Sequence, residues 1–358
     1  MRIAIIGATG NVGTSLLAAL AGETAVEEIV AVARRPATLA DPRVRFHAAD
    51  IARDDLAPLL RGIDAVVHLA WLIQPSREEA VTRATNVDGT RRLLEASAAA
   101  GVRAVVYASS VGAYSPGPKD RRVDESWPTD GIPSSFYSRH KAETERLLDR
   151  FERDRPEVRV ARLRPGLIFK REAASGIRRL FAGPLLPAPL VRRELIPVVP
   201  DVPRLRFQAV HSLDVGDAYR RALLADDAHG AFNVAAEPVL DPATLAEALG
   251  ARRLPLRGGM LRAAADLSWR LRLQPSPPGW IDLALGVPLL DTTRARERLG
   301  WEPRRSASDA LLELLDGIRA GDGAPTPPLA PDGELCGSTA LGAAAPATPA
   351  AGAAAPSA

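Results

Sequence analysis

The sequence predicts an α/β fold, a doubly wound parallel sheet with a smaller C-terminal subdomain. Three observations carry that expectation. Continuous apolar runs recur from the first residues, as in strands buried on both faces. Amphipathic stretches of helical period lie between them. A glycine-spaced turn, "GATGNVG" at 7–13, joins the first run to the first such stretch.

Taken in order, strands are expected at 2–7, 27–34, 44–50, 64–71, 104–110 and 158–166, with helices at 12–21, 54–61, 77–100 and 135–153. Residues 1–169 thus form the core. Beyond 166 the pattern loosens. Residues 170–207 are rich in Pro and Arg and, with 237–290, are assigned to the second subdomain. Residues 208–236 supply a strand, a helix and a short strand at 230–236 that return to the core, as do two helices within 291–320. From 321 to 358 the chain is mostly Gly, Ala and Pro, a composition expected to be disordered because it buries too little apolar surface.

Composition narrows the function classes. Hydrophobic residues make up 46% of the 358 and charged residues 25%, as in an ordinary globular protein. The net charge is +3 and no Lys/Arg tract occurs, so no nucleic-acid partner is expected. The single cysteine, Cys336, excludes an internal disulfide and a cysteine metal site, and fits a cytoplasmic location. "ALAG" at 19–22 imitates a signal-peptide cleavage site, but Gly7, Gly10 and Gly13 interrupt the apolar run before it. No apolar run approaches the ~18 residues of a membrane span, and "LFAGPLLPAPLV" at 180–191 is broken by prolines. His47, His68, His140, His211 and His229 are scattered without ligand spacing, so no metal is expected.

Two constellations carry chemistry. Gly7, Gly10 and Gly13, with Thr9, Asn11 and Val12 between them, end a strand and open a helix. Backbone N–H groups and the helix dipole favour a pyrophosphate there; a plain strand–helix turn is the alternative. Tyr137 and Lys141 stand four apart on one helical face. Chance would give on the order of 0.03 such pairs in a chain with so few Tyr and Lys. A phenol ionises near ~10, and a neighbouring ammonium lowers that value, which suits Tyr137 to general acid/base work.

These motifs, in this order, resemble the extended short-chain dehydrogenase/reductases of the NAD-dependent epimerase/dehydratase group. The Gly-x-x-Gly-x-x-Gly spacing, "VVHLAW" (66–71), "NVDGTRRLLEAS" (86–97), "YASSVGAY" (107–114), "YSRHK" (137–141), "RPG" (164–166) and "VHSLDVGDA" (210–218) all match landmarks of that family, across about residues 1–320. The resemblance implies a Rossmann core, a substrate-binding second subdomain, and reversible hydride transfer at a secondary alcohol or ketone. It gives Lys141 the further role of bonding the nicotinamide ribose. Ser110, four before Tyr114, is implied to hold the substrate oxygen, with Ser109 as the alternative. Asn86 supports the site or caps a helix. Leu69, Ala70 and Pro165 fall beside the cofactor, and Asp50 and Ile51 flank its adenine, although Asp50 also suits a strand-end cap. Homodimerisation through the helices at 77–100 and 135–153 is a further implication.

The second strand bears on which cofactor. Enzymes that take NAD(H) place an acid about ~20 residues past the glycines. Here the stretch reads "VARRP", and Arg34 and Arg35 favour NADP(H) over NAD(H). Departures from the family concern the substrate. Phe207 and Gln208 stand where sugar-nucleotide enzymes have Arg-Asp, with Arg206 one place early. "IFKR" (168–171) replaces Val-Tyr-Gly-Pro, so Lys170 and Arg171 either bind phosphate or are solvated. Three readings follow: a sugar-nucleotide epimerase or dehydratase, an NADPH-dependent reductase of a non-sugar ketone, and a catalytically silent cofactor sensor.

Overall fold

The computed structural model describes residues 1–181 and 197–331. Seven strands form one sheet: β1 (Arg2–Ile6), β2 (Glu28–Ala33), β3 (Val44–Ala48), β4 (Ala65–His68), β5 (Ala104–Ala108), β6 (Arg159–Pro165) and β7 (Gly230–Val234). Their spatial order is β7-β6-β5-β4-β1-β2-β3. Every pairing in this sheet is parallel. The order reverses between β1 and β4, which opens a crevice at the carboxyl ends of those strands.

The central strands β1, β4 and β5 are largely apolar because helices cover both faces. Ile3, Ile5, Ala31, Val67 and Val106 pack with Leu16 and Leu20 of α1 (Asn11–Leu20), and with Val215 and Tyr219 of a helix at Ser212–Leu224. The alternate residues Ala4, Ile6, Val32, Val66 and Val105 face the other way. They meet Leu60 of α2 (Ala57–Leu60), Leu93 and Leu94 of α4 (Gly89–Ala99), and Leu148 of α5 (Phe136–Asp154). This is the period-2 alternation of a strand buried on both sides.

Three expectations are corrected. The helix expected at 54–61 shortens to α2, because Asp50 and Asp54 spend their backbone and carboxylate groups on a turn: Asp50 N–H donates to Asp54 Oδ2 at 2.7 Å and Ala52 N–H to Asp50 Oδ1 at 2.9 Å. The helix expected at 77–100 is interrupted. α3 (Glu79–Arg83) leads into a π-helical turn, Ala84–Asp88, before α4 begins. Finally, the stretch from 321 is not uniformly loose. Residues 322–331 return to the core as a docked strap, because Thr326, Leu329 and Ala330 bury their side chains. Most of the proline-rich loop at 180–191, Cys336 and the remainder of the Ala/Pro/Gly-rich stretch lie outside the described residues.

Short parallel pairs lie beside the main sheet: Leu167–Phe169 with Ala209–His211, packed on the core, and Val198–Asp201 with Arg252–Pro255, within the stretches assigned to the second subdomain. α6 (Ala174–Phe181) leads out of the core toward it. Among the described residues no helix is long and apolar enough to cross a membrane.

Candidate active site

The glycine turn is shaped by contacts that exclude side chains. Gly7 has φ +93°, and a Cβ on it would lie 2.7 Å from Ala70 N. A Cβ on Gly13 would lie 2.4 Å from the Gly7 carbonyl oxygen and 2.5 Å from that of Ala8. Both approaches are closer than carbon tolerates, so β1, α1 and the end of β4 converge only with glycine at these positions. A Cβ on Gly10 would meet Gly7 O at 3.4 Å, an ordinary contact, and Gly10 serves instead as the N-cap of α1.

Above this turn lies a cavity of ≈ 390 Å³, within the range of about 300–1,000 Å³ usual for small-molecule sites. Gly7, Thr9 and Gly10 form its floor, Arg34, Arg35, Asp50 and Ile51 one side, and Leu69, Ala70 and the following Trp71–Gln74 loop the next. The last side comes from Gly176 and Arg179 of α6 and from Pro327 and Pro328 of the strap. The cradle that a Cβ would fill, a helix N-terminus and a cationic rim fit a dinucleotide. Arg34 and Arg35 are exposed at the end of β2. Burial, then the charges of Arg34 and Arg179, lower the pKa of Arg35, so three guanidinium groups share this rim.

The other expected cofactor residues stand outside the cavity wall. Val12 packs into the core and Gly13 underpins the turn. Asn11 donates from Nδ2 to Ile168 O at 3.3 Å. Pro165 pairs with Val234 at the end of β6. Asp50 lines the cavity and also closes the turn at Ala52. Lys170 takes no part in the cavity wall. Its buried Nζ donates to Asn11 O (3.0 Å), Thr14 Oγ1 (2.7 Å) and Ser15 Oγ (3.1 Å), holding the first turn of α1. Arg171 pairs with Asp322 at 2.5 Å.

Ser110, Tyr137 and Lys141 meet at the carboxyl end of β5. Ser110 Oγ accepts from Gly112 N–H at 3.0 Å, and the Tyr137 ring packs against the same glycine. Gly112 permits this, since a Cβ there would lie 2.8 Å from the Tyr137 ring. Ser135 caps α5 by accepting from Ser138 N–H, which sets Tyr137 in the first turn and Lys141 one turn on. Ser109, just past the end of β5, instead donates to Glu145 at 2.5 Å.

Electrostatics in this group differ from the sequence expectation. Burial pushes the Tyr137 phenol up to about 12, and the neighbouring Ser110 hydroxyl only partly offsets that. Lys141 does not lower it: its Nζ lies 5.9 Å from the Tyr137 ring centroid and donates to Ala108 O at 2.5 Å. Burial holds the Lys141 ammonium well below the usual lysine range, with Glu145 opposing. The Trp71 ring covers it at 3.5 Å, a cation–π contact. Asn86 neither caps a helix nor reaches the phenol. Its Oδ1 accepts from Leu72 N–H (2.7 Å) and its Nδ2 donates to Leu72 O (2.8 Å), clamping the loop that carries Trp71. π-helical turns recur where a side chain must be aimed in this way.

Several site residues escaped the sequence reading. Trp280 lies 5.0 Å from Tyr137, ring to ring, and Phe181 lies 5.0 Å from Trp280. Trp71 meets Tyr137 at 5.8 Å. Below them, fully buried Glu145 accepts from Arg164 Nε (2.8 Å), Arg164 Nη2 (3.0 Å) and Arg162 Nη1 (2.9 Å). Burial would raise its pKa, but Arg164 and then Arg162 outweigh burial and hold it at about 2. Trp71 and Arg164 had a sequence signal, through their places in "VVHLAW" and "RPG".

The chain thus joins a cleft shaped for a dinucleotide, at the switch point of a parallel sheet, to a Ser–Tyr–Lys group at its edge. Residues 3–235 match the NAD dependent epimerase/dehydratase family, and the chain belongs to that family. It is similar to the uncharacterized protein Rv2047c of Mycobacterium tuberculosis, 29% identical over 322 residues that cover 89% of this chain and 30% of that one. The chain therefore spans less than a third of that relative. A shorter match, 28% identical over 143 residues, covers 38% of this chain and 41% of the decarboxylating sterol-4-alpha-carboxylate 3-dehydrogenase of Saccharomyces cerevisiae. Among solved structures, MoeE5 in complex with UDP-glucose and NAD superposes with a TM-score of 0.65 at 22% identity, over 89% of this chain and 99% of that one.

Proposed function

We propose that this enzyme interconverts a ketone and a secondary alcohol on a largely apolar small molecule, with NADP(H) preferred over NAD(H). The observation that carries the reading is the grouping of Ser110 and Tyr137 about Gly112, where a Cβ would lie 3.4 Å from Ser110 Oγ and 2.8 Å from the Tyr137 ring, with Lys141 one helical turn on. When bound, the nicotinamide supplies the donor or acceptor of hydride. The rest falls to the chain. Gly7, Thr9 and Gly10 would hold the pyrophosphate at the start of α1. With its pKa raised to about 12, Tyr137 carries its proton at neutral pH. That is the form a proton donor to a carbonyl oxygen requires. Ser110 orients the phenol and offers a second hydroxyl to the same oxygen.

The cofactor preference rests on Arg34 and Arg35 at the cavity rim, where a 2′-phosphate finds charge-assisted donors. The substrate class rests on two features. Trp71, Trp280 and, behind Trp280, Phe181 give the surroundings of Tyr137 an apolar aromatic character. Gln208, at the place where sugar-nucleotide enzymes carry Arg-Asp, is buried and bonded to Leu290 through both amide atoms (3.2 and 2.6 Å). Arg206 donates to Lys119 O at 2.6 Å instead of facing a diphosphate. A sterol carboxylate dehydrogenase among the relatives is consistent with this reading.

Epimerase or dehydratase chemistry on the same residues is the second reading, favoured by family membership. It returns the hydride and consumes no cofactor. Absorbance at 340 nm separates the two. With apolar cyclic and aryl ketones, net oxidation of NADPH, faster than of NADH, is expected. No oxidation with any ketone, together with epimerisation of a UDP-sugar, would reverse the assignment.

A further inference from the structure

The last described residues of the chain fold back onto its first loop. The helix Ala307–Ala320 ends at Gly321, whose φ of +71° turns the chain sharply. Asp322 then donates from its backbone to Gly317 O (2.9 Å), accepts from Ser175 N–H (3.2 Å), and takes the Arg171 guanidinium on its carboxylate. From there, residues 324–329 close on themselves: Ala324 N–H donates to Leu329 O (2.8 Å) and Leu329 N–H to Thr326 O (2.9 Å).

This compact strap sits on the cofactor turn. Thr326 Oγ1 donates to the carbonyl of Thr9, inside the glycine loop, at 2.9 Å and out of contact with water. Arg179 donates to Ala330 O (2.8 Å) and Pro328 O (3.2 Å). A Cβ on Gly176 would meet Pro328 O at 2.9 Å, so α6 and the strap are in close contact. Pro327 and Pro328 are left facing the cavity beside the arginine rim. Two consecutive prolines fix their own φ and make a stiff wall.

We infer that residues 322–331 form a wall of the dinucleotide site and limit cofactor exchange, with Thr326 as a positioning residue for the glycine loop. The ligand class is a nicotinamide dinucleotide, so the inference rests on the function proposed above. The wall is built from the opposite end of the chain to the floor. A dinucleotide seated on Gly7–Gly10 is enclosed between the Arg34/Arg35 side and the two prolines, and leaves only when the strap yields. Arg179 connects both, since it reaches the strap backbone and shares the cationic rim.

Dissociation of NADPH, followed by stopped-flow fluorescence on displacement with excess NADP, tests this. A chain ending at Pro331 is expected to release NADPH at the rate of the full chain, and one ending at Gly321 at least ten-fold faster. Thr326→Val, which keeps the shape and removes one hydrogen bond, is expected to speed release about five-fold. Hydrogen exchange on the full chain gives a second reading without truncation: amides of 322–331 are expected to gain protection when NADPH is added. Equal release from the full chain and the chain ending at Gly321 would overturn the inference. If that truncated chain does not fold, unchanged exchange of 322–331 on saturation with NADPH would overturn it as firmly. A full chain that binds neither NADPH nor NADH would refute the function itself and not the strap alone.

Discussion

The two ends of the cleft are built in different ways. The dinucleotide end is made of backbone: Gly7 and Gly13 bring β1, β4 and α1 within contacts that a methyl group would break, and a cavity of ≈ 390 Å³ stands above them. The reacting end is made of side chains packed against each other. Lys141 is bonded to Ala108 O under the Trp71 ring, and Tyr137 lies against Trp280, outside the wall of that cavity. One end is a preformed seat. The other is a desolvated pair whose protons are governed by burial, which keeps the phenol neutral and weakens the hold of Lys141 on its charge. Trp71 belongs to both, because it lines the cavity and covers Lys141.

The comparison is broken most severely at Tyr137. Tyr137→Phe removes the proton donor and leaves the seat intact. Turnover is expected to fall by about 10²–10⁴-fold, with NADPH affinity by fluorescence titration unchanged. Unchanged turnover would remove Tyr137 from the chemistry; lost affinity would mean that the two ends are not separable.

Next in size is the support beneath the reacting end. Glu145→Gln strips the charge that Arg162 and Arg164 surround, and breaking such a buried pair costs about 3–5 kcal/mol. At pH 7 the melting temperature is expected to fall by roughly 10 °C. The same group sets an acid limit. Its carboxyl titrates at about 2 in the fold and near its ordinary value of 4.5 when unfolded. Its contribution is therefore whole above pH 4.5 and is lost as pH falls toward 2. Wild type should lose melting temperature through that window more steeply than Glu145→Gln; parallel curves would show that Glu145 is not the group responsible.

The smallest expected effect sharpens the open end. Arg34→Ala with Arg35→Ala removes two charged donors from the rim, and NADPH affinity is expected to fall roughly ten- to a hundred-fold. NADH affinity, measured in the same titration, should change less than two-fold. Equal losses for both cofactors would mean that the arginines do not read a 2′-phosphate.

The same contrast explains what could be read from the sequence. The glycine turn was legible because only one residue type satisfies its sterics, and Tyr137 with Lys141 because helical spacing places them together. The Ser-x-x-x-Tyr spacing singled out Ser110 over Ser109. What pattern cannot convey is contact between distant segments. Trp280 reaches Tyr137 from the second subdomain, and Thr326 reaches Thr9 from the far end of the chain. The strap was masked by its setting: within "GDGAPTPPLAP", Thr326 and Leu329 are anchors, but the surrounding Gly, Ala and Pro give the whole stretch the composition of a disordered tail. Asn86 was located but its task was not, because its partner is a backbone fourteen residues earlier, at Leu72. The spacing likewise shows that Lys141 is near Tyr137, but not that Ala108 and Trp71 hold its ammonium.

Deuterium tracing tests the central claim most directly. NADPH carrying deuterium at the transferred position of C4 is incubated with enzyme and an apolar ketone, and the product alcohol is analysed by mass spectrometry. One deuterium is expected on the carbinol carbon for each NADPH consumed, in wild type and not in Tyr137→Phe. Deuterium retained on the cofactor, with substrate converted and no net NADPH consumed, would contradict the account and place the enzyme among the epimerases.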